Sequence, residues 1–141
     1  MEKYLESYLS EKIHKEGEIS FSTYMETVLY NDNFGYYTNS KKIFGPQGDF
    51  ITAPTSSSLF GETISNEFIN LSKDNPNLSI LELGGGDGSL AVSIVSRLIE
   101  NNTLPKCYII LEISVNLIKI QKQKIKKYLP DLYKLFKWTS T

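Results

Sequence analysis

One short segment, Glu82-Leu83-Gly84-Gly85-Gly86-Asp87-Gly88, constrains the fold of this chain more than any other feature. It grows out of the apolar run Ile80-Leu81-Glu82-Leu83. It leads into Leu90, Ala91, Ile94, Val95 and Leu98, which recur at helical spacing. A strand, a glycine turn and a helix in that order bring backbone without Cβ atoms to a helix N-terminus, whose first N–H groups lack partners. Tyr108-Ile109-Ile110-Leu111 reads as a second strand. Leu117, Ile118, Gln121, Ile125 and Tyr128 mark one side of a further helix closed by Pro130, and Leu135-Phe136-Lys137-Trp138 opens a third strand. Strands alternating with helices predict a parallel sheet with helical crossovers.

The turn excludes two familiar phosphate binders. A dinucleotide fingerprint starting at Gly84 needs glycine at its sixth position, where Ser89 stands. A phosphate loop needs a Gly-Lys-Ser/Thr tail, which is absent. What remains is acidic-x-Gly-x-Gly-x-Gly with Glu82 as the acid. This pattern resembles motif I of class I S-adenosylmethionine-dependent methyltransferases, in which the methionine end of the cofactor sits at the turn. Its bland alternative is a glycine turn with no ligand. Glu112 ends the second strand roughly twenty residues past the turn, where a carboxylate can accept hydrogen bonds from both hydroxyls of a bound ribose. The alternative for Glu112 is a solvated strand end. The pair alone admits NAD as well as an adenosyl cofactor, and the failed fingerprint favours the latter.

Ahead of this unit, Tyr4, Leu5, Tyr8, Leu9 and Ile13 predict an amphipathic helix ended by Gly17. Phe21, Tyr24, Met25, Val28 and Leu29 predict a second, with Ser20 as N-cap. Asn31 to Pro54 reads as a long aromatic loop, too rich in Phe and Tyr for disorder. A third helix follows, with Leu59, Phe60, Ile64, Phe68 and Leu71 on one face. The expected division is residues 1–55 for the helices and loop, and 56–141 for the first half of a Rossmann-like domain.

With 141 residues, 40% hydrophobic and 22% charged, the chain can bury a core. A net charge of -1 gives no field that would recruit nucleic acid or an anionic membrane. The lysines at 119, 122, 124, 126 and 127 read as a solvated helix face. No stretch reaches the roughly 18 apolar residues of a membrane helix, and Met1 to Glu6 does not look like a signal peptide. The single Cys107 points to a reducing compartment, hence a cytoplasmic expectation. No metal-ligand cluster or nucleophile constellation is visible, and the lone His14 reads as surface.

An ordered series of further motifs carries a more specific resemblance. Gly35-Tyr36-Tyr37, Ile43-Phe44-Gly45, Gly48-Asp49-Phe50-Ile51-Thr52-Ala53-Pro54, Leu59-Phe60-Gly61-Glu62 and Glu112-Ile113-Ser114 with Leu117, Gln121 and Trp138 are similar to the MidA-like methyltransferases. That family includes the mitochondrial complex I assembly factor that dimethylates an arginine. The resemblance covers the chain from about Gly17 onward. It implies a class I methyltransferase fold, S-adenosyl-L-methionine as methyl donor, a protein substrate with arginine as its possible acceptor, and a mitochondrial matrix location for the eukaryotic relatives. The implied cofactor-binding residues are Glu82, Gly84, Gly86, Gly88 and Glu112, with Phe50, Thr52 and Pro54 walling the pocket, or else simply packing the loop onto the sheet. Asp49 is the candidate carboxylate to orient a guanidinium, its alternative being an ordinary loop aspartate that caps a turn.

The chain departs from the family pattern in three places. Thr55 stands where an acidic residue follows Ala-Pro, Gly85 replaces a proline and should loosen the turn, and a later Asn-Glu-Phe-Phe-Asp-like stretch is absent. The expectation is therefore an incomplete sheet with a free edge on its first strand, completed by a second chain or a homodimer. The alternative function is a non-catalytic cofactor-binding or assembly module.

Overall fold

The computed structural model describes residues 2–38 and 43–140, the Glu2 side chain excepted. It divides into two compact units, Met1–Lys41 and Lys42–Thr141.

In the first unit, α1 (Glu2–Glu16) and α2 (Phe21–Tyr30) form where the apolar spacing predicts. Gly17 ends α1 at φ +80°, a left-handed conformation that suits glycine, and its N–H donates to the Ile13 carbonyl at 2.9 Å. The Ser20 hydroxyl caps α2 by accepting the Thr23 N–H. The chain then folds back on α2: the N–H groups of Tyr36 and Tyr37 donate to the carbonyls of Val28 and Leu29. Ring contacts between Tyr8 and Phe34, and between Tyr30 and Tyr37, close this unit, yet α2 has no buried residue.

In the second unit the order is α3 (Ala53–Ser56), α4 (Leu59–Asp74), β1 (Ile80–Leu83), α5 (Ser89–Glu100), β2 (Tyr108–Leu111), α6 (Val115–Tyr128), a 3-10 turn (Pro130–Leu135) and β3 (Phe136–Thr139). The strands make one parallel sheet, β1-β2-β3, with Ile80 beside Tyr108 beside Phe136. This is the first half of a Rossmann-like sheet, as expected. Side chains alternate across the strands. Tyr108, Ile110 and Phe136 on the inner face pack with Phe68 of α4, Ala91, Ile94, Val95 and Leu98 of α5, and Ile125 of α6. Each fully buried residue of this size contributes about 1.5–3 kcal/mol. The outer face is open: Leu81 is 58% exposed and Leu83 is 71%. Among the described residues β1 pairs only with β2, so its other edge is free.

Two expectations need correction. The aromatic loop does not run unbroken to Pro54, because a one-turn helix begins at Ala53, with proline in its first turn. Most of the apolar stripe of α4 is not on its packed face: Leu59, Phe60, Ile64 and Leu71 are exposed, and of the stripe only Phe68 is buried, with Gly61 and Ser65. The cause is close helix packing through small residues. A Cβ on Gly61 would lie 2.3 Å from the Ser93 hydroxyl, and Ser65 donates its hydroxyl to the carbonyls of Gly61 and Ile94. No helix among the described residues is long and apolar enough to cross a membrane.

Candidate functional site

The glycines of the turn serve different ends. Gly84, Gly86 and Gly88 have φ of +69°, +52° and +82°, where a side chain costs about 1–2 kcal/mol. Gly85 is different: a Cβ there would come 2.7 Å from Ile110 Cγ2 and 3.2 Å from Gln121 Nε2. The space that a proline would fill is taken by Ile110 and Gln121, so the turn is packed rather than loose. The Gly88 N–H closes the turn on the Gly85 carbonyl at 2.8 Å. Asp87 Oδ1 accepts the Ser89 N–H at the start of α5, and Asp87 Oδ2 pairs with Lys124 at 2.5 Å. Burial alone would raise the Asp87 pKa, but hydrogen bonds from Lys124 and Ser89 outweigh it and hold the carboxyl below its ordinary value.

A cavity of about 220 Å³ opens at this turn, lined by Phe44, Thr52, Pro54, Glu82, Gly84 and Gly86 among others. The second half of the aromatic loop builds its far wall. The Phe50 N–H donates to the Ile43 carbonyl and the Gly45 N–H to the Phe50 carbonyl, both at 2.9 Å. This narrow turn carries the Phe44 ring to within 3.7 Å of where a Gly86 Cβ would stand. Thr55, found where an acid was anticipated, accepts the Thr52 N–H at 2.8 Å and so closes the first turn of α3.

Two carboxylates close the first two strands. Glu82 accepts the Tyr108 hydroxyl at 2.8 Å. Desolvation raises the Glu82 pKa above its ordinary value, the Tyr108 bond partly offsets this, and the charges of Asp87 and Glu112 push it further up. Burial and the Glu82 charge also push the Tyr108 phenol upward. Glu112 is 4% exposed. Its Oε1 accepts the N–H groups of Ile113 and Ser114, each at 3.0 Å, and its Oε2 accepts Gln121 Nε2 at 3.1 Å. The same Gln121 amide nitrogen donates to the Gly86 carbonyl at 3.0 Å, and Gln121 Oε1 accepts the Trp138 indole N–H at 3.0 Å.

The structure thus brings Thr52, Pro54, Glu82, Gly84 and Gly86 onto one cavity. Gly88 lies behind them against α6, and Glu112 is joined to the turn through Gln121. Asp49 and Phe50 are exposed and are not among the residues lining the cavity. Sequence reasoning missed the roles of Phe44, Tyr108 and Gln121. For Gln121 a signal existed: it is a polar residue inside the apolar stripe of α6. The lysine-rich side of α6 is not merely solvated. Lys122 and Lys126 lie over the rings of Trp138 and Tyr133 at 5.0 and 4.9 Å, and Lys124 holds Asp87. A larger groove of about 610 Å³ runs along α5, lined by Ser58, Ser93, Arg97 and Lys124 with Glu62 and Glu100. Its charges are mixed and it holds no part of the glycine turn beyond the start of α5. Size alone does not make it the functional site.

Comparison with known proteins gives the family. Residues 59–141 match the family described as "Putative S-adenosyl-L-methionine-dependent methyltransferase". The chain is similar to the mouse protein named "Protein arginine methyltransferase NDUFAF7, mitochondrial", 35% identical over 121 residues, which is 81% of this chain and 28% of that one. It is also similar to the Drosophila melanogaster homologue, 38% identical over 98 residues, 67% of this chain and 22% of that one. A crystal structure of a protein from Burkholderia thailandensis bound to S-adenosyl-homocysteine superposes with a TM-score of 0.86 at 29% identity. It covers 99% of this chain and 37% of that one. The chain therefore spans under a third of the length of these two curated relatives.

Proposed function

We propose, from the premise that this chain belongs to that S-adenosyl-L-methionine-dependent methyltransferase family, that it carries the first half of the cofactor site of a protein methyltransferase. The observation that carries this reading is the joining of the glycine turn to the buried Glu112 through one amide, Gln121. A turn alone could be bland, and so could a strand-end carboxylate. A buried hydrogen-bonded connection holds the two in one fixed geometry, which suits a ligand shared between them.

The residues suit an adenosyl cofactor. Backbone at Gly84 and Gly86, free of Cβ atoms, borders the cavity where the methionine end would lie, and Glu82 and Phe44 flank it. A carboxylate offers about four acceptor positions, of which Glu112 uses three among the described residues, and we read the fourth, on Oε2, as the one that would take a ribose hydroxyl. The sequence alone suggested two hydroxyls on this group. When bound, the cofactor supplies an electrophilic methyl group on a sulfonium. Transfer from it is an in-line displacement in which the protein mainly positions donor and acceptor. For the acceptor, the curated relatives' names point to arginine in a protein. Asp49, exposed in the loop that walls the cavity, is the candidate to hold a guanidinium through paired hydrogen bonds. A cytoplasmic location remains our reading, resting on the single, buried Cys107.

The cavity is smaller than the roughly 300–1,000 Å³ of complete small-molecule sites. Leu81 and Leu83 are exposed beside a free strand edge, which proteins normally cover. We read these together as a site whose other wall comes from strands that pair with β1, contributed by further polypeptide or by a second copy. The same two observations favour a second reading, a cofactor-binding or assembly module that transfers no methyl group by itself. Calorimetric titration with S-adenosylmethionine and S-adenosylhomocysteine tests the shared premise, and absence of binding would end both readings. A methyl-transfer assay with and without the relatives' later segment added in trans separates them. Light scattering shows whether the chain self-associates through the free edge, and a monomer active alone would remove the need for a second wall.

A further inference from the structure

Gln121 is fully buried, at 0% exposure, on the face of α6 that also buries Leu117 and Ile125. A primary amide there is costly unless every polar atom is partnered. Here the bonds are matched by type. The indole N–H of Trp138 only donates, so it fixes the amide oxygen towards β3. The amide nitrogen is then left facing two acceptors, the Gly86 carbonyl and Glu112 Oε2. The backbone is built around this side chain: a Cβ on Gly85 would meet the amide at 3.2 Å, and one on Gly88 would meet Gln121 Cα at 3.3 Å. Two of the turn's glycines thus make room for Gln121.

We propose that Gln121 is the positioning residue of the cofactor site, setting the Gly86 peptide and the Glu112 carboxylate in one geometry and reporting their state to Trp138. This rests on the cofactor reading above. With its amide oxygen and nitrogen bonded within the protein, Gln121 acts on a ligand through its neighbours. It orients the Gly86 peptide at the cavity and fixes which Glu112 lone pair stays open. Its bond to Trp138 Nε1 ties the turn to the last strand of the sheet. A ligand that draws on Glu112 Oε2 or shifts the Gly86 peptide changes the amide's hydrogen bonds, and with them the surroundings of the one tryptophan in the chain.

The test is titration of the whole chain with S-adenosylhomocysteine, followed both by calorimetry and by tryptophan emission excited where tyrosine does not absorb. The wild type should bind and shift its emission on saturation. Gln121→Met keeps the volume without the hydrogen bonds. It should retain the α/β circular dichroism spectrum, bind about ten-fold or more weakly, as loss of bonds that hold a buried carboxylate implies, and lose the emission shift. Gln121→Glu guards against a Met variant that fails to fold. Its ionised carboxylate repels Glu112 and its protonated form can donate one bond, so its affinity should rise as pH is lowered while the wild type changes less. A role in packing alone would lower the melting temperature of both variants and leave the affinity of the folded protein unchanged. Affinity within two-fold of wild type for a folded Gln121→Met, or no pH-dependent recovery in Gln121→Glu, overturns the proposal while the cofactor reading stands. A wild type that binds no S-adenosylhomocysteine overturns the cofactor reading itself.

Discussion

The ends of β1 and β2 lie side by side in one parallel sheet, and each carries a glutamate, yet the fold treats them in opposite ways. Glu112, after β2, is almost wholly buried and accepts three hydrogen bonds from protein donors, two of them backbone N–H groups. Glu82, within β1, is partly buried and accepts one, from a phenol. The first is held in place by those donors. The second is desolvated and pushed towards its neutral form by burial and by two nearby carboxylates. Position on a sheet does not decide what an acid does; the count of donors around it does.

The largest effect that would test this contrast is at the β1 end. Gly86→Val places a branched side chain at φ +52° beneath Phe44. Stability should fall by about 1–2 kcal/mol, with the circular dichroism spectrum kept, and calorimetry should detect no cofactor binding. Normal binding by this variant would return the turn to the bland reading.

Next comes Glu112→Ala. It leaves an adenosyl ribose hydroxyl and the Gln121 amide without their acceptor, so affinity for S-adenosylhomocysteine should weaken by about 1–3 kcal/mol. Unchanged affinity would show that the well-held carboxylate serves the fold alone.

Glu82→Gln is expected to do less, and through pH. A carboxyl whose folded pKa is raised binds its proton more tightly in the folded state. Its contribution to stability is full below the unfolded pKa and is lost as pH rises through the folded value. The amide still accepts the Tyr108 hydroxyl and does not titrate. The stability of the variant relative to wild type, from urea unfolding, should therefore rise from acid to neutral pH, reaching a gain of about 1 kcal/mol at neutral pH. Parallel curves would remove Glu82 from the set of strained groups.

The smallest effect is expected from Lys124→Met. Asp87 has its pKa lowered in the fold, so its contribution is present above the unfolded pKa and lost as pH falls through the lowered one. The pair is about a quarter exposed on each side, so its loss should cost no more than about 1 kcal/mol near neutral pH and should shrink in high salt. A loss that salt leaves untouched would mean that the lysine acts by packing instead.

Much of this was legible in the residues themselves. The order of strands and helices, the parallel sheet, the Ser20 cap and the acidic-x-Gly-x-Gly-x-Gly turn follow from spacing and turn chemistry. The packed face of α4 did not follow, because periodicity marks the apolar side of a helix and not the side on which two backbones approach. Gly61 and Ser65 win that contact by being small. The one-turn helix at Ala53 escaped because four residues hold no period. A polar Gln121 inside the apolar stripe of α6 signals that it has partners, but which ones, like the Glu82 partner of Tyr108, depends on distant segments meeting across α6 and the sheet. Nor could spacing show that Glu112 would spend three of its acceptor positions within the protein.

The two backbone N–H groups that hold Glu112 belong to Ile113 and Ser114, at the hinge between β2 and α6. Ile113 is itself exposed, so its amide proton would trade with solvent freely if the carboxylate did not cover it. Ile113 is therefore a built-in clock: deuterium uptake at its amide measures how often the carboxylate lets go.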